Sequence, residues 1–151
     1  VASSRQEDLI LRMIRQMAQL LETAAERKDA GDLDGAMEHV GRAQAELLGP
    51  VAPIAPRLDA ASAVRMVDAR QVVPWAQMLA EQADVLRRQE RPDAAIAAER
   101  RALELLLELA AREHARGTEI RDALRPLSTS PAVATLRPDH AQALADLLRP
   151  A

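Results

Sequence analysis

Three histidines, five serines and a surplus of arginine are the side chains with which this chain could do chemistry. None stands at a spacing that does it. A carboxylate-bridged metal centre in a helical bundle takes Glu-x-x-His, but three residues before His39, His114 and His140 stand Ala36, Ala111 and Arg137. No histidine lies within three to five positions of another, which removes the zinc spacing. Ser3, Ser4, Ser62, Ser128 and Ser130 are the serines, and none occupies a G-x-S-x-G elbow. Ser62 and Ser130 read as helix caps. Cysteine is absent, so disulfides, thiolate metal sites and cysteine nucleophiles are excluded. The five glycines form neither a phosphate loop nor a dinucleotide fingerprint. Asp32 and Asp34 look like an acid–base pair, but they stand at a helix start, where the helix dipole accounts for them. The expectation is a protein with no catalytic residues, no metal ligands and no cofactor.

Charge and composition narrow the class further. The net charge is −3, with acids and bases interspersed, which gives no nucleic-acid-binding surface. Lys28 is the single lysine, so nearly every cation is arginine. The opening "VASSRQEDLILRMIRQ" lacks the basic region and clean apolar stretch of a signal peptide. No apolar run approaches the roughly 18 residues that span a bilayer. A cytoplasmic protein without membrane contact is expected. Hydrophobic residues make up 48% of the 151, enough for a core. Phe and Tyr are absent and Trp75 is the one aromatic, so Ala and Leu must fill that core. Those are helix formers rather than strand formers, and the fold class reads all-α.

Hydrophobic periodicity divides a single helical domain, 1–151, into four parts. The first hairpin is 6–48: one long helix carries Leu9, Ile10, Met13, Ile14, Met17, Leu20, Leu21 and Ala24 on a broad face. Gly31 closes it, and Asp32 caps the second helix. A Pro-rich insert and short helix follow over 49–67, with Pro50, Pro53 and Pro56 expected to run extended over the surface. The second hairpin is 68–116. Asp68 caps its first helix with Gln71 as capping-box partner, and Pro74 either kinks that helix or marks its start. Trp75, Met78, Leu79, Ala83 and Leu86 face inward. Pro92 opens its second helix, whose Glu99, Arg100, Glu104, Glu108 and Arg112 are expected on the solvent side, and Gly117 ends it. Short C-terminal helices occupy 117–151.

Shifting the chain by 59 residues lays "LETAAERKDAGDLDGAMEHVGRAQAELL" over "LAEQADVLRRQERPDAAIAAERRALELL". Ala24, Ala36 and Ala43 then fall on Ala83, Ala95 and Ala102. Small residues at matched points on two helices let the backbones approach closely. With this spacing, "AGDLDGAMEHVGRAQAELL" and "RPDAAIAAERRALEL" resemble the second helix of the tetratricopeptide repeat, over roughly 17–49 and 76–109. The chain departs from that family in three ways. Its units are 59 rather than 34 residues apart, Arg27 and Leu86 stand at the usual tyrosine, and Trp75 lies one turn before the repeat's tryptophan position. The whole pattern also resembles an uncharacterised bacterial family of small helical proteins, a domain of unknown function. Gly31 has Glu90 as its counterpart, so a matching corner would force Glu90 into a left-handed conformation.

The resemblance implies two tetratricopeptide-like hairpins in one layer, with first-helix residues lining a concave groove. Those residues are Lys28 and Asp29 in one unit and Asp84, Arg87 and Arg88 in the other. Lys28, Arg87 and Arg88 there would offer cations to a peptide carboxylate. The expected function is non-catalytic protein–protein interaction, as an adaptor or scaffold for a protein or peptide partner. The alternative is a homo-oligomeric structural or regulatory protein whose wide N-terminal apolar face meets a second copy. A small-ligand carrier or enzyme with a pocket near Trp75 ranks below both.

Overall fold

The computed structural model describes residues 2–113 and 116–150. Its organising feature is a corner used twice. After α1 (Ala2–Asp29) the chain turns at Gly31, whose φ is 84°. The amide of Asp32 donates to the carbonyl of Arg27 (2.8 Å), and that of Gly31 to Lys28 (3.0 Å), so the last turn closes as a Schellman motif. Asp32 then caps α2 (Leu33–Leu48) by accepting from the Gly35 amide at 3.0 Å. Fifty-nine residues later α4 (Ala69–Arg88) ends in the same way before α5 (Pro92–Arg112). Arg91 donates to Leu86 (2.9 Å) and Glu90 to Arg87 (3.0 Å). Glu90 takes the glycine's place with φ 61°, the left-handed conformation expected of it.

Two hairpins result, α1 against α2 and α4 against α5, and they pack side by side mainly through α2 and α4. Ala24, Ala36, Ala43, Ala83, Ala95 and Ala102 are all fully buried, as the matched small residues require. Between the hairpins lies α3 (Ala60–Met66), capped by Asp59. After them come α6 (Gly117–Leu124) and α7 (Pro138–Leu148). No strand occurs among the described residues, and the chain is all-α. No helix among them is long and apolar enough to cross a membrane.

The Pro-rich insert does not run extended. It winds into two 3-10 turns, Gly49–Val51 and Ala55–Arg57, closed by amides of Ala52, Ile54, Arg57 and Leu58 bonding three residues back. Proline's fixed φ suits such turns as well as an extended chain. The compact form also buries Ala55 completely. Ser62 is not a cap: Asp59 is, and the Ser62 amide donates to it. Ser130 does cap the 3-10 segment Pro131–Thr135. Pro74 is the sixth residue of α4, and the helix passes through it. Gly117 opens α6 instead of ending α5, which stops at Arg112. His114 lies outside the described residues.

The capping box forms, with Gln71 Oε1 accepting from the Asp68 amide at 2.9 Å. The Gln71 amide nitrogen donates to the Leu47 carbonyl at 2.8 Å, so this buried side chain also ties the start of α4 to the end of α2. Helix α5 is the centre of the molecule, touching α3, α4, α6, α7 and the 131–135 segment. Its Leu103, Leu105, Leu106 and Leu109 are all buried, on more than one face. Trp75 sits in the same core, 1% exposed, with the Arg101 guanidinium 5.6 Å from its ring centre.

Candidate functional site

Helix α4 lies beside α1 near the corners, and this brings Lys28, Asp84 and Arg88 of the expected groove together. Lys28 Nζ is 2.7 Å from Glu81 Oε1 and 2.7 Å from Asp84 Oδ2, with only 11% of its side chain exposed. Burial disfavours the ammonium, but hydrogen bonds to Asp84 and Glu81 outweigh it and raise the Lys28 pKa above the ordinary lysine value. Arg88 approaches the same Asp84, and Asp29, at 3.7 Å, too far for hydrogen bonds. Lys28, Asp84 and Arg88 therefore form one cluster, whose strongest contacts join α1 to α4.

Arg87 turns away from that cluster to α5. Its Nη1 donates to Glu99 Oε2 at 2.7 Å and its Nη2 to Oε1, a bidentate pair. Ser130 Oγ donates to the same Glu99 at 2.8 Å. One carboxylate thus holds α4, α5 and the 131–135 segment together. The Arg87 guanidinium is the chief reason the Glu99 pKa is lowered, with Ser130 assisting against burial. Glu99 is not on the solvent side as expected, since 12% of its side chain is exposed. Nor is Glu108, which reaches the buried His140 at 2.9 Å between Oε1 and Nε2. Both face neighbours because α5 is surrounded. His39 is half-buried, its Nδ1 2.9 Å from the Gly35 carbonyl within its own helix. Arg101 is half-buried and donates to the Ala55 carbonyl at 3.3 Å. Burial lowers its pKa, while Glu104 and Asp59 act against that.

Between α4 and α6 lies a groove about 300 Å³ in volume. Ala80 and Ala123 are half-buried in its wall, over the buried Ala76 and Leu127. Glu81, Asp84 and Asp122 also line it, paired with Lys28, Arg88 and Arg125. Sequence reasoning placed Asp84 at the groove, gave no such place to Glu81 or Asp122, and put Glu99 on the solvent side. Glu81 was within reach, since it stands one helical turn before Asp84 on the same face. Among the described residues no group of three His, Cys, Asp or Glu side chains is placed to hold a metal ion. No protein-family model, no curated protein and no solved structure matches this chain.

Proposed function

We propose that this chain is a non-catalytic protein-interaction module, built of two tetratricopeptide-like hairpins, that receives a segment of a protein partner along its helices. The observation that carries this reading is the repeated corner. Equivalent Schellman hydrogen bonds at Gly31 and Glu90 close two hairpins, which then stack through α2 and α4. Stacked helical hairpins bury one face of each unit on its neighbour and leave a long outer surface for binding. Here the groove beside α4 is part of that surface.

The test is affinity capture from the native host with three proteins run in parallel: the parent chain, one with the exposed Arg88 changed to Glu, and one with Leu9 and Leu11 changed to Asp. A partner held by the parent and lost from one altered surface supports the module and locates its contact. No partner, or one held equally by all three, sinks it.

A second reading is favoured by Leu9 and Leu11, which are 51% and 50% exposed on α1. A second copy of the chain covering this face would make the protein a homo-oligomer. Light scattering separates the two: a dimer that Leu9→Asp converts to a monomer supports the homo-oligomer, and a parent chain that is already monomeric removes it.

A further inference from the structure

We infer that residues 49–58 are a hinged cover over the core, which opens while the helices stay folded, and that Arg101 is its latch. The segment is fastened to itself rather than to the molecule. Its turns are closed by the amides of Ala52, Ile54, Arg57 and Leu58, which bond to carbonyls three residues back, all inside the segment. Three of its ten residues are proline and have no amide to offer. Its main contacts are with α2 and α3, the helices it joins. Ala55 is its one buried residue, so its deepest anchor in the core is a single methyl group. Val51, Ala52 and Leu58 are half-buried, and Ile54 is 50% exposed. Opening breaks no hydrogen bond of any helix.

One hydrogen bond ties the cover to a distant element. Arg101 Nη2 of α5 donates to the Ala55 carbonyl at 3.3 Å, and the half-buried guanidinium makes no other among the described residues. Burial presses on that charge more than Glu104 and Asp59 relieve it. The Trp75 ring centre lies 5.6 Å from the same guanidinium. The Trp75 indole N–H is buried with no acceptor, which destabilises the closed form. Water reaching these two groups offsets part of what opening loses. The ends of the segment supply the hinges. Gly49 has φ 54°, a conformation that glycine adopts without strain. Its amide stays bonded to the Ala45 carbonyl of α2. Leu58 is extended, just before the Asp59 cap that fixes the start of α3. Between these points the chain can swing out and leave both helices intact. Opening frees the guanidinium and gives water a path to Trp75.

Hydrogen exchange of the intact chain across a urea series tests this. The amides of Ala52, Ile54, Arg57 and Leu58 should exchange with a shallow urea dependence, because little surface is exposed when the cover alone opens. The α5 amides of Leu105, Leu106 and Leu109 should show the steep dependence of the whole chain unfolding. The Trp75 indole proton has no acceptor, so access alone sets its exchange, and it should follow the cover rather than α5. Arg101→Met keeps the stem over the ring and removes the latch. It should speed exchange of the cover about three- to tenfold, with the α5 urea slopes and the helical circular dichroism unchanged. Arg42→Met, at the exposed counterpart of Arg101, should leave the cover as it is. One steep dependence shared by cover and α5 would overturn the inference, and so would cover amides that exchange as fast as an unstructured peptide. A cover no faster in Arg101→Met than in the parent, or equally hastened by Arg42→Met, would remove Arg101 as the latch and the inference with it.

Discussion

At position 90 the backbone enters the left-handed region with a glutamate, where its counterpart is Gly31. A side chain there costs about 1 kcal/mol relative to glycine. Glu90→Gly is therefore expected to raise the unfolding free energy by up to about 1 kcal/mol, and Gly31→Ala to lower it by a similar amount. A Cβ on Gly31 would meet nothing within 4 Å, so its cost is the backbone's alone. Urea denaturation of both variants checks the pair, and a loss of stability in Glu90→Gly would contradict the strain. This corner was legible in the sequence because a 59-residue shift places Glu90 on Gly31 and three alanines on three others. The roles of Glu99 and Glu108 were not. A helical wheel assigns charged residues to solvent, and only the packing of other elements around α5 turns these two inward. A signal was present nonetheless: Leu103, Leu105, Leu106, Leu107 and Leu109 cannot share one stripe, and a helix apolar on several sides is a buried helix.

Among the helices, two ionic ties do different work and fail at opposite ends of the pH scale. Glu99 joins α4, α5 and the 131–135 segment. Its folded pKa is lowered, so its contribution is present above the ordinary glutamate value and is lost as pH falls through the folded one. Glu99→Gln should melt below the parent at neutral pH, and the gap should close below about pH 4. A gap that persists in acid would mean that Glu99 acts through packing rather than charge. Lys28 joins α1 to α4. Its folded pKa is raised, so its contribution is full below the ordinary lysine value and lost as pH climbs through the folded one. Lys28→Met keeps the stem and should cost about 1–2 kcal/mol, constant from pH 6 to about 9 and shrinking above about 10.5. Calorimetry across that range reads it. Lys28, Asp84 and Arg88 were identifiable as neighbours from the register of the repeat. Their use as an internal tie was not, because periodicity within a helix does not say how closely α1 and α4 approach, and that approach is what places the ammonium between Glu81 and Asp84.

For the molecule as a whole, the second helix of the second hairpin is its centre rather than one wall of a layer. The first hairpin lacks this crowding: Arg42 is exposed, while its counterpart Arg101 is drawn over Trp75. Leu105→Ala, at a position with no exposure at all, should cost about 2–5 kcal/mol, read as a shift in the urea midpoint with an unchanged slope. A cost below about 1 kcal/mol would mean that the site collapses around the cavity. The single aromatic in this core has a further consequence. Trp75 is roofed by Arg101, which is fastened to the Ala55 carbonyl of the proline-rich turns. Intrinsic emission therefore comes from one position and is coupled to one strap. Loosening that strap would change the wavelength and quenching of the light while the far-ultraviolet helical signal held constant. The protein carries its own optical means of separating local opening from global unfolding, with no label added.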